Sequence, residues 1–129
     1  MKKELFAEIL SDEVLRYCEE AITKISQIRK DSNRPLVPAE LFEMAEWLHS
    51  FRSWITWALL ETEAKYRDKV ELFRSEDRSV AASESMGKTT PEYRAYKYLV
   101  RVDSLAEEQV LLVKKFITQL DSEFKHSGF

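Results

Sequence analysis

The stretch EMAEWLHSFRSWITWALLETEAKYRDKVELF, residues 43–73, decides the fold. It holds all three tryptophans, Trp47, Trp54 and Trp57, within eleven residues, and then turns into charge. No glycine or proline interrupts it, and its apolar positions recur at spacings of three and four. Leu41, Met44, Leu48, Phe51, Ile55, Ala58, Thr62, Tyr66 and Phe73 fall on one stripe, the signature of a long amphipathic helix. At 100° per residue, Phe42, Trp57, Leu60 and Ala64 fall on nearly the opposite side. A helix apolar on two sides is buried on two sides. Either other helices of the chain cover both faces, or a second subunit covers one. Burial between subunits makes Phe42, Trp57, Leu60 and Ala64 the expected homo-oligomer interface, because aromatic residues favour interface centres. A stacking platform for bases is the third reading. It needs neighbouring cations, and between Pro35 and Thr62 the only lysine or arginine is Arg52.

Working outward, Pro38 suits the first turn of this helix, which is expected over 38–82. Upstream, 2–30 reads as one or two shorter helices. Leu5, Phe6, Ile9 and Leu10 share a side in the first. Leu15, Cys18, Ile22 and Ile25, widened by Val14, Ala21 and Ile28, form the stripe of the second, which Ser11 or Asp12 can cap. The run KDSNRPLVP breaks it. Downstream, Gly87 is a natural stop. Thr90, Pro91 and Glu92 supply a cap, a fixed φ and a first-turn acid. The last helix is expected over 91–124, on a stripe of Tyr96, Leu99, Asp103, Ala106, Val110, Val113, Ile117, Leu120 and Phe124.

The fold class is therefore all-α. A single domain, 1–129, is built on a long antiparallel helical hairpin with one or two shorter N-terminal helices, and it is expected to form oligomers. Two glycines and three prolines in 129 residues are too few for a sheet protein, which turns every 8–12 residues or so. At 1.5 Å per residue the long helices would span about 50–65 Å, more than a compact chain of this size allows. Either they kink, or the molecule is elongated and self-association covers its sides.

Composition bounds the function. A third of the residues are charged, the net charge is −3, and the single cysteine, Cys18, cannot form an internal disulfide. The start MKKELFAEIL lacks the apolar core of a signal peptide, and no window has the ~18–20 apolar residues of a membrane span. A cytoplasmic protein without membrane contact is expected. Nothing points to an enzyme, a metal or a cofactor. His49 and His126 lack ligand spacing, and there is no phosphate-cradling glycine loop or nucleophile motif.

Basic residues gather toward the end of the hairpin: Lys65, Arg67, Lys69, Arg74, Arg78, Lys88, Arg94, Lys97 and Arg101. Arg94, Lys97 and Arg101 share one helix face, flanked by Tyr93 and Tyr98. With interleaved acids this reads either as a solvated face of i,i+4 ion pairs or as a contact strip for backbone phosphates. The strip would use Arg94, Lys97, Arg101, Lys88 and Tyr98, and weak sites would add up in an oligomer. Asp103, within an apolar stripe, calls for a base from another helix or subunit, and a register-fixing contact is its expected role.

The order of pieces resembles a known family. A short leading helix precedes EWLHSF. The charged continuation ETEAKYRDKVELFRSEDRSV follows, then a link, then YRAYKYLVRVDSLAEEQVLLVKKFITQLDSEF. With Trp47-Leu48, Glu63-Ala64 and Val102-Asp103, this layout over residues 43–129 is similar to the UvsY-type recombination mediators of T-even phages. The resemblance implies a ring-like homo-oligomer that binds single-stranded DNA and works with a recombinase and a single-strand-binding protein. Two other classes fit the residues: a phage adaptor or inhibitor that binds a host protein and no nucleic acid, and a structural coiled-coil module.

Overall fold

A computed structural model describes residues 9–30 and 38–128, with side chains over 9–27 and 38–119. The helix expected at the extreme N-terminus lies mostly outside the described residues. Four helices follow: α1 (Asp12–Lys30), α2 (Pro38–Ser75), α3 (Val80–Gly87) and α4 (Pro91–Gly128). The described residues contain no strand.

Ser11 opens α1. Its Oγ accepts from the Val14 N–H at 3.3 Å, and Asp12 and Glu13 place negative charge in the first turn. Val14, Leu15, Cys18, Ala21 and Ile25 are buried along one side, as the spacing predicts. In α2 the buried line is Leu41, Leu48, Phe51, Ile55, Ala58, Thr62, Tyr66 and Val70. Thr62 is a polar member of that line. Its hydroxyl donates to the Ala58 carbonyl at 2.6 Å, so no unpaired group is buried there.

The long helix ends at Ser75, not near Ala82. Asp77 adopts a left-handed φ of 62°, and its N–H and that of Glu76 bond back to the carbonyls of Arg74 and Phe73. An aspartate tolerates that conformation better than most side chains. Ser79 then caps a new helix, its Oγ accepting from the Ala82 N–H at 3.1 Å. The break needs no glycine or proline, because Ser75, Asp77 and Ser79 offer the backbone local alternatives to helix.

Gly87 does end α3, for a reason other than backbone freedom: its φ is not positive. A Cβ there would lie 2.5 Å from Val70 Cγ2 and 3.1 Å from Tyr66 Cε1. Glycine is required because α3 presses against α2. The same contact buries Ser83 completely, and its Oγ has no hydrogen-bond partner. Opposite effects are therefore expected at two neighbouring sites. Gly87→Ala should destabilise by about 1–3 kcal/mol through overpacking. Ser83→Ala should be neutral or stabilising by up to ~1 kcal/mol, since it removes an unsatisfied buried hydroxyl. Thermal melts of both variants test this, and equal losses would show that α3 does not pack as described.

Thr90 caps α4 as expected, its Oγ1 accepting from the Tyr93 N–H at 3.3 Å. The helix continues to Gly128, past the expected end at Phe124. Its buried stripe is Ala95, Leu99, Val102, Ala106, Val110 and Val113, so Tyr96 and Asp103 move from the centre of the expected stripe to its half-buried edge. Both α1 and α2 pack on α4, and the face turns to serve both. One apolar cluster joins all three helices. Side-chain contacts fix the relative course of α2 and α4: Arg52 meets Asp103 and Lys69 meets Glu92. Tyr17 of α1 lies 4.8 Å from Trp54, and Lys24 lies 5.0 Å from the Trp47 ring. Among the described residues, no helix is long and apolar enough to cross a membrane.

Candidate nucleic-acid interface

The basic residues expected to form one cluster separate into two kinds. Along α2 and the turn after it, each cation has an acid. Lys65 pairs with Glu61 (3.7 Å), Arg67 with Glu63 (3.5 Å), Lys69 with Glu92 (3.9 Å), Arg74 with Glu71 (3.4 Å) and Arg78 with Glu76 (3.3 Å). Apart from Glu92, which is largely buried, these side chains are well exposed and their pairs add little stability, but they cancel the local field. Arg94, Lys97 and Arg101 are exposed on the outer face of α4 and have no acid partner among the described residues. At spacings of three and four they form one line. Lys97 reaches the Tyr93 ring, 6.0 Å from its centroid, and Tyr93 leans on Tyr66 at 4.9 Å.

Two other expected members stand apart. Lys88 is exposed, but it caps α3 and does not lie on the α4 face. Tyr98 is half-buried and packs against the apolar cluster, not beside the three cations as a stacking ring. Burial pushes its phenol up, with a smaller contribution from nearby Cys18. Cys18 is fully buried, and that burial pushes its thiol up to about 12. It stays protonated and behaves as a small apolar group.

Asp103 finds its base on α2. Arg52 Nε donates to Asp103 Oδ1 at 2.9 Å, and Nη2 lies 3.5 Å from Glu107 Oε2. The hydrogen bond to Asp103 is the largest influence raising Arg52 above its ordinary value. The expected buried acid is in fact about a quarter exposed, at 24%, because the α4 stripe is rotated. Water therefore shares the pair, and its contribution is of order 1 kcal/mol or less. The sequence carried half of this signal: Arg52 was the lone cation in an apolar run, and Asp103 the lone acid in an apolar stripe.

Among the described residues, the second face of α2 is left exposed. Phe42 is 52% exposed, Trp57 50% and Leu60 63%, and Ala64 is also exposed. Ile9, Leu10, Ser11 and Val14, around the start of α1, share a cleft with Trp57 but leave it half exposed. Trp47 and Trp54 instead edge the core, with Trp47 stacked on Phe51 at 5.7 Å and Trp54 edge-on to Trp57 at 6.0 Å. No group of three or more histidine, cysteine or acidic side chains that could hold a metal occurs among the described residues. Compared with known protein families, with characterised proteins and with solved structures, the chain matches none.

Proposed function

We propose that this chain is a non-catalytic helical protein that holds single-stranded nucleic acid by its phosphates, along the outer face of α4. The observation that carries the reading is the contrast in charge pairing. Five bases around the end of α2 are each matched to an acid, while Arg94, Lys97 and Arg101 stay exposed and, among the described residues, unmatched on one line. Unmatched cations on a helix face at this spacing suit a flexible phosphate chain. In a protein of net charge −3 such a local strip binds weakly, so the working form is a homo-oligomer of antiparallel helical hairpins that sums several strips. The resemblance to UvsY-type mediators adds the role: a phage protein of the host cytoplasm that presents the strand to a recombinase. Fluorescence anisotropy with a labelled single-stranded oligonucleotide tests binding, which should be non-specific and fall steeply with salt.

The open α2 face supplies the oligomer contact. Trp57→Glu or Leu60→Glu should dissolve the assembly while leaving helicity intact, as read by sedimentation and circular dichroism. A wild-type chain that sediments as a monomer at protein concentrations of tens of micromolar would remove this part. The same half-exposed Trp57 and Leu60 favour a second reading, an adaptor whose apolar face docks a host protein. Absence of oligonucleotide binding at low salt, together with a monomeric chain, selects that adaptor.

A further inference from the structure

Between α1 and α2 an open cleft of about 210 Å³ is lined by Tyr17, Trp47, Ser50, Phe51 and Trp54. Its construction follows from helix geometry. Trp47 and Trp54 are seven residues apart, so they stand on one side of α2 about 10 Å from each other along the axis. Phe51, only 4% exposed, forms the floor between them, and Tyr17 closes the side from α1. Four aromatic rings thus line one small open cleft.

The rings already draw positive charge. The Lys24 ammonium sits 5.0 Å from the Trp47 ring centroid, and the Arg16 guanidinium 5.4 Å from that of Tyr17. Glu13 and Glu20 flank Tyr17 one turn away on either side. Glu43 and Glu46 precede Trp47 and Ser50 by one turn, and helix residues so spaced are neighbours. All four acids are exposed, and none has an ion pair among the described residues.

We infer that this cleft binds a quaternary ammonium group, held by the rings of Trp47, Trp54 and Tyr17, with acids one helical turn away along both helices. The choice among ligand classes is physical. A nucleotide would bring its phosphate into a neighbourhood of Glu13, Glu20, Glu43 and Glu46, with Arg16 and Lys24 as the cations on the rings. A small metal cation is strongly hydrated and finds no converging oxygen ligands here. A trimethylammonium head is weakly hydrated, presents a diffuse positive surface, and is the cation that aromatic cages recognise best. The site is separate from the strip on α4, and its test does not depend on nucleic-acid binding.

All three tryptophans lie in or next to the cleft, so intrinsic fluorescence reports occupancy in the full chain. Titration with tetramethylammonium should give a saturable change, with half-saturation of the order of 1–10 mM for a few ring contacts. Choline is compared with its uncharged isostere 3,3-dimethyl-1-butanol, which should bind about tenfold more weakly. Lys24→Gln, which removes the resident cation, should tighten choline binding several-fold. Trp47→Leu should abolish it, with circular dichroism checking the fold. A peptide bearing trimethyl-lysine, run beside choline, distinguishes a protein side chain from a small molecule as the source of the head group. Equal affinity for the uncharged isostere, no saturation by about 100 mM, or weaker binding by Lys24→Gln would each overturn the proposal.

Discussion

Reversing the three unmatched cations together, Arg94→Glu, Lys97→Glu and Arg101→Glu, is expected to abolish oligonucleotide binding at any salt above the lowest. Each phosphate contact contributes about 0.7 to the log–log salt slope for a single strand, so three contacts contribute roughly 2. The reversal removes that attraction and replaces it with repulsion. Stability should hardly move, because all three side chains are exposed and have no acid partner among the described residues. Surface changes of that kind usually stay within about 0.5 kcal/mol. A matched control is Lys65→Glu with Arg67→Glu and Lys69→Glu. Those cations are held by Glu61, Glu63 and Glu92, so their reversal should weaken binding far less. Anisotropy on both triples decides. Equal losses would mean that general charge, not the α4 strip, governs binding. Binding untouched by the first triple would end the nucleic-acid reading.

Leu99→Ala should give the largest loss of stability. The side chain is 0% exposed, in the cluster that joins α1, α2 and α4. Large-to-small changes at such sites cost about 2–5 kcal/mol, the spread reflecting how far the neighbours relax. Against a total of roughly 5–15 kcal/mol for a domain, that takes much of the margin. Ala95 and Ala106, both fully buried, flank it one and two turns away and cannot fill the space. Urea denaturation should show a lower midpoint at unchanged slope, the mark of a stability change rather than a change of mechanism. Leu60→Ala, at a site 63% exposed, is the contrast and should stay near wild type in a monomeric sample. A Leu99→Ala loss below about 1 kcal/mol would be incompatible with a core shared by three helices.

What the sequence determined by itself is local. Ser11, Pro38 and the Thr90-Pro91-Glu92 run start helices where the structure starts them, because caps, a fixed φ and first-turn charge act within a few residues. The buried line of α1, and that of α2 from Leu41 to Tyr66, follow from periodicity, since one face of a helix is a property of spacing. Other features depended on neighbours that no local pattern names. Gly87 looked like a helix stop by conformation, but the approach of Val70 and Tyr66 requires it. The stripe of α4 turned toward Ala95 and Val102 because two helices, not one, pack on it. That rotation carried Asp103 to the edge, where Arg52 meets it, and left Tyr98 against the core. Which bases are matched was also beyond the sequence. Glu92 reaches Lys69 across 23 positions of chain, while Arg94, two residues along, is exposed and meets no acid among the described residues. Charge matching is a matter of distance in space, and only the packing of α4 on α2 sets that distance.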